Sequence, residues 1–371
     1  MYSDDFLLPD GTYLLSHSVG RPLKTSQQFF TDHFFEPWQT SHGDPWQQWL
    51  TQIDSFRTAL GLLFHSSMSN FCPQVNLSST LSKVVMSLAS LQVSRPRIVM
   101  SEQDFPSMGF VLQKALPHQA CITYIPKHLN ITDPNVWAEY VNNNTDLVFI
   151  SHAYSNTGQR APIEHIVTLA HEHNAVSVVD VAQSAGVIPL HLNALKPDFL
   201  IGSSVKWLCG GPGAAYLWVN PDILSLCTPK DVGWFSHENP FEFDIHHFQY
   251  QDNALRFWGG TPSIAPYVIA SNSIMYLSRI GADKIRKHNQ TLINMITNEF
   301  SHEVASPTLE AKRSGTVVLN FKQRQPHITA ALAQQRISID ERSHGIRISP
   351  HIYNNASDIK SLINVIKHHY K

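Results

Sequence analysis

Apolar residues recur at helical spacing along some stretches of the chain and form short unbroken runs in others. Over residues 46–66, Trp46, Trp49, Leu50, Ile53, Phe56 and Leu60 fall on one side of a helix, and residues 164–174 repeat that pattern. Residues 97–100, 147–150, 176–179 and 199–202 are instead short apolar runs without alternation. Runs of that kind predict strands buried on both faces, as in a parallel sheet. Helical stretches between them predict an α/β fold, a large three-layer α/β/α domain with a mostly parallel sheet. From residue 264 the pattern changes. Two long helical stretches, 264–280 and 284–300, lead into short strands at 316–321 and 346–349, which predicts a smaller α+β domain. The expected division is 21–261 for the large domain and 262–371 for the small one, with Gly259-Gly260-Thr261-Pro262 as the hinge.

The 371 residues suffice for both cores. Charged residues are 15% of the chain and the net charge is −2, so no basic excess points to nucleic acid and no charged tail is present. The four cysteines (Cys72, Cys121, Cys209, Cys227) lack metal-type spacing. The pairs His171/His173, His246/His247 and His368/His369 belong to no ligand motif, so no metal is expected. Neither a signal peptide nor an apolar run long enough for a bilayer is visible, and a cytoplasmic location is the expectation.

Two of the apolar runs end on chemistry. One closes on Asp180 and continues Val-Ala-Gln183-Ser-Ala-Gly186. The other leads through Ser203-Ser-Val205 to Lys206, followed by Trp-Leu-Cys-Gly210-Gly-Pro-Gly213. The separation of 26 positions between Asp180 and Lys206 leaves room for one βα excursion, which returns both side chains to the carboxyl edge of the sheet. A lysine amine and a carboxylate there suit pyridoxal 5'-phosphate (PLP). The amine holds the cofactor aldehyde and shuttles the substrate α-proton, and the carboxylate keeps the pyridine nitrogen protonated. Further upstream, Asn76-Leu-Ser78-Ser79-Thr80 opens an apolar helical run. It reads equally as a helix N-cap and as a phosphate site.

Together these motifs resemble the PLP-dependent class V aminotransferase superfamily, and the Lys-Trp-Leu-x-Gly-Gly-Pro-Gly run is most like kynureninase. The resemblance extends from about Leu14 to Asn354. It implies a fold-type-I PLP-dependent transferase, a homodimer with shared active sites, and an N-terminal segment (residues 1–20) packed on the small domain. It also implies roles for individual residues. Ser78, Ser79 and Ser203 contact the phosphate, Phe105 stacks on the pyridine ring, and Ser155 and Gln183 touch the cofactor's 3-oxygen. Trp234 and Thr261 reach a phosphate across the dimer interface. Arg347, in Gly345-Ile-Arg-Ile-Ser-Pro-His-Ile-Tyr-Asn354, grips the substrate α-carboxylate, for which a guanidinium fork is suited. Phe235 and His237, with His17 and Trp46, are candidates for lining the substrate pocket.

The reaction this implies is kynureninase-like hydrolysis, with cleavage of a Cβ–Cγ bond and release of alanine. Three positions depart from the kynureninase pattern: Val205 stands in place of a tyrosine, Met108 of an aspartate and Gln183 of a histidine. Transamination, epimerisation or lyase chemistry on another amino acid therefore stays open, as does a non-catalytic PLP-binding regulatory protein. A cysteine desulfurase needs a nucleophilic cysteine in its C-terminal part, and residues 228–371 contain none.

Overall fold

The computed structural model describes residues 2–370. The apolar runs become strands of one seven-stranded sheet: β1 (Phe71–Gln74), β2 (Arg97–Ser101), β3 (Cys121–Ile125), β4 (Leu147–Ser151), β5 (Val176–Asp180), β6 (Phe199–Ser203) and β7 (Ala215–Val219). Their spatial order is β1-β7-β6-β5-β4-β2-β3. Strands β2 to β6 run parallel to one another, β2 also pairing parallel with β3, whereas β7 is antiparallel to both β6 and β1.

Alternate strand residues feed two apolar layers, which is what strands buried on both faces require. On one face Val148, Ile150, Val179 and Leu200 pack with α1 (Trp46–Phe64), a later helix (Ile163–Glu172) and the long helix Ala265–Ile280. On the other, Leu147, Phe149, Val178 and Ile201 pack with α2 (Leu77–Ser87) and α3 (Pro106–Ala115). The helix expected over 46–66 stops at Phe64, because His65 takes a left-handed φ of 53°.

A second sheet has the order β9-β10-β8, formed by β8 (Val317–Leu319), β9 (Asp340–Arg342) and β10 (Gly345–Ile348), all antiparallel. It shares a core with residues of the helices Ala282–Glu299 and Ala356–Tyr370. The N-terminal segment touches both regions. Leu14 belongs to this smaller core and Thr12–Tyr13 pair with Ile337–Ser338, while Phe6 and Leu23 belong to the larger core. Among the described residues no helix is long and apolar enough to cross a membrane.

Candidate active site

Parallel pairing brings Ser151 at the end of β4 opposite Asp180 at the end of β5, so both point their following loops to the same edge. Strand β6, parallel to β5, ends at Ser203, and Lys206 lies three residues further on. The loop that carries the lysine is closed on itself. The Ser204 N–H donates to the Ala214 carbonyl at 2.9 Å, and the Ser204 hydroxyl donates to the carbonyls of Gly211 and Ala214 at 3.0 and 2.9 Å. From outside, the Gly20 N–H donates to the Val205 carbonyl at 2.9 Å. A Cβ at residue 20 would lie 2.0 Å from the Lys206 carbonyl oxygen, so only glycine permits this approach.

These elements enclose a cavity of about 290 Å³. Lys206 and Asp180 both line it, with Ser78, Phe105, Ser155, Gln183 and Ser203 around them. Burial pushes the Lys206 amine below its ordinary range, Asp180 works against that shift, and Arg347 adds to it. Burial likewise raises the Asp180 carboxyl, opposed by the Ala182 N–H, which donates to its Oδ1 at 2.8 Å, and by Lys206. Its second oxygen makes no hydrogen bond among the described residues. The arrangement is an amine biased toward its neutral, nucleophilic form beside a buried carboxylate with one open oxygen.

Beyond this geometry, the family model described as aminotransferase class-V matches residues 76–362. The chain belongs to the aminotransferase class-V family. Among its relatives are an uncharacterized aminotransferase of Bacillus subtilis, YcbU, 24% identical over 87% of this chain and 85% of that one, and a kynureninase of Shouchella clausii, 25% identical over 96% and 88%. The fold matches an apo cysteine desulfurase from Thermococcus onnurineus with a TM-score of 0.84 at 19% identity, over 97% of this chain and 94% of that one. As a class-V member the chain is a PLP-dependent enzyme of fold type I.

The residues present fit that cofactor. Besides the open Asp180 oxygen, Tyr154 is among the residues lining the cavity, with its hydroxyl buried on the side of Ser101 and Asp104. Ser78 lies at the start of α2. Ser79 is not in the lining, and its N–H is held by the Asn76 cap at 2.8 Å. Phe105 stands just before α3, lines the cavity and is 54% exposed, free to cover a flat group. Gln183 donates through Nε2 to the His17 carbonyl at 3.1 Å.

Arg347 is buried on β10, outside the cavity lining, and donates through Nη1 to the carbonyl of the cavity residue Ser155 at 2.8 Å. The other four expected site residues do not reach the cavity within one chain. Trp234 packs edge-on to Trp46 at 5.9 Å, and Phe235 is buried against Trp258. Both His237 ring nitrogens are engaged within their own loop, Nδ1 accepting the Asn239 N–H at 3.0 Å and Nε2 lying 3.1 Å from the His247 carbonyl. Thr261 is exposed in a separate depression beside Lys83, and it caps no helix, since the next one begins at Ala265.

Three polar groups at the site were not singled out by the sequence. Burial pushes the Asp104 carboxyl up to about 7, against a bond from the Ser101 N–H at 2.8 Å, and the nearby Asp180 adds to the rise. Tyr154 is the second and Asp340, bound to Arg347, the third. Asp104 and Tyr154 lie inside segments that the motifs already mark. Asp340 had no local signal, because its partners are brought to it by tertiary structure.

Proposed function

We propose that this class-V enzyme is a kynureninase-like hydrolase that cleaves the Cβ–Cγ bond of kynurenine or a related α-amino acid and releases alanine. The observation that carries the amino-acid reading is that Lys206 and Asp180 line one cavity and that the Arg347 guanidinium is bonded to the carbonyl of Ser155, which lines it too. The near full-length similarity to a kynureninase supports the particular reaction. PLP bound here supplies an electron sink for charge developing at the substrate Cα.

On this reading Lys206 holds the cofactor, then takes and returns the proton at Cα through Nζ. Asp180 keeps a proton on the ring nitrogen, Phe105 covers the ring face, and Gln183 and Ser155 address the 3-oxygen. Ser78 and Ser203 face the phosphate, and Arg347 takes the α-carboxylate. Trp234 and Thr261 lie away from their own Lys206, which suits a homodimer in which they complete the partner's phosphate site. Phe235 and His237 then approach the partner's substrate from the same loop. The chain divides on this reading into units 21–261 and 262–371 with residues 1–20, the helix Ala265–Ile280 of the second packing into the larger core.

Transamination or epimerisation is the second reading, favoured by Val205 and Met108, which present apolar groups to the cavity. Cysteine desulfuration is disfavoured. Burial raises the Cys72, Cys209 and Cys227 thiols to about 12, and none of the four cysteines lines the cavity.

Product analysis by mass spectrometry tests the proposal. PLP-loaded protein given L-kynurenine or 3-hydroxykynurenine is expected to yield anthranilate or its hydroxylated form together with alanine, and Lys206→Ala to abolish both. Kynurenic acid would replace hydrolysis by transamination. No product from either compound would overturn the kynureninase reading.

A further inference from the structure

Asp340 and Arg347 face each other directly across the β9–β10 hairpin, which places their side chains on one face of the sheet. The arginine Nη2 is bound to Asp340 Oδ2, and Nη1 to the Ser155 carbonyl. Its Nε is buried and has no acceptor. A buried donor left without a partner is unfavourable, so the guanidinium keeps at least its Nε–H in want of an acceptor. Its charge is already balanced from within the chain.

The carboxylate that balances it has somewhere else to go. Asp340 is 26% exposed, and Arg342, two residues along the same strand and 60% exposed, brings Nε to 3.4 Å from the same Oδ2. Residues two apart on a strand share a face. His17 Nε2 is also 3.4 Å from that oxygen, while its Nδ1 lies 2.7 Å from the Ser349 hydroxyl. Asp340 thus sits between a buried guanidinium and a surface one, with an imidazole alongside.

We propose that Asp340 is an internal counter-ion that occupies Arg347 in the unliganded enzyme and that the substrate carboxylate displaces it toward Arg342. The inference rests on the reading of Arg347 as the α-carboxylate site. Asp340 then sets how strongly the enzyme discriminates carboxylate-bearing amines from other amines. An arginine held by its own chain binds an outside carboxylate only for the fraction of time it is released. The open Nε gives the incoming carboxylate a second donor that Asp340 leaves unused, which makes the exchange favourable.

The test titrates PLP-loaded enzyme with L-alanine and, separately, with ethylamine, which lacks the carboxylate, following the visible absorbance of the bound cofactor. Asp340→Asn is expected to tighten L-alanine by about tenfold, the reciprocal of the free fraction, and to leave ethylamine unchanged. Arg342→Gln, at an exposed position, is expected to weaken L-alanine alone, because the displaced carboxylate loses its alternative partner. Unchanged or weaker L-alanine binding in Asp340→Asn would overturn the proposal, as would equal shifts for both amines. Arg347→Ala separates the two levels. If it leaves L-alanine binding intact, the assignment of Arg347 fails. If it abolishes binding while Asp340→Asn changes nothing, only the counter-ion role fails.

Discussion

Asp104 shows how much one buried side chain can shape the site. Its carboxyl is buried and accepts the Ser101 N–H, and burial raises it to about 7, with Asp180 adding to the rise, above the ordinary carboxylate value of 3.8. A folded-state value above the unfolded one means stability that is fully present below pH 3.8 and lost as pH rises through 7. Asp104→Asn keeps an acceptor for the Ser101 N–H and removes the charge. The variant's advantage in melting temperature should therefore grow from pH 4 to pH 7 and then level off. Each tenfold change in proton affinity is worth about 1.4 kcal/mol, and once relaxation is allowed for the plateau is on the order of 1–3 kcal/mol. A difference that stays constant across that range would contradict the assignment. The resemblance marked the neighbour, Phe105, and passed over Asp104, because burial of a carboxylate has no local signature.

At the scale of elements, legibility followed burial. Strands β4, β5 and β6 were readable because they are covered on both faces and so are almost purely apolar. Strand β3 was not, since it is the sheet's edge and four of its five residues are only partly buried or exposed. Strand β1 is four residues long and contains Pro73, and β7 follows the glycine-rich loop without the helix that the alternation leads one to expect. The N-terminal segment is the element most closely tied to the site, through Gly20 against Lys206 and the His17 carbonyl under Gln183. Gly20→Val places its side chain against backbone and against Cys209 Sγ, 2.7 Å from the new Cβ, neither of which can withdraw. The cost is about 1–3 kcal/mol, typical of overpacking. A lower melting temperature and weaker PLP binding in a cofactor titration are the expected results, and wild-type values for both would contradict this docking.

Across the whole molecule, the parallel sheet turns two distant stretches of sequence into one site, and that much was legible from Asp180 and Lys206 alone. What was not legible depends on long-range closure. His17 lies beside Asp340, 323 residues away, and Arg347 is reached through Ser155, 192 residues earlier. No window of local sequence contains such pairs. Trp234, Phe235, His237 and Thr261 raise the same issue at the level of assembly, since within one chain they face away from the cavity they resemble parts of. The central claim remains the cofactor site at the carboxyl edge of the sheet. Borohydride reduction of the PLP-loaded enzyme, followed by peptide mass mapping, tests it most directly. A phosphopyridoxyl adduct is expected on Lys206 and on no other lysine, and an adduct elsewhere, or none, would contradict a cofactor site at this edge.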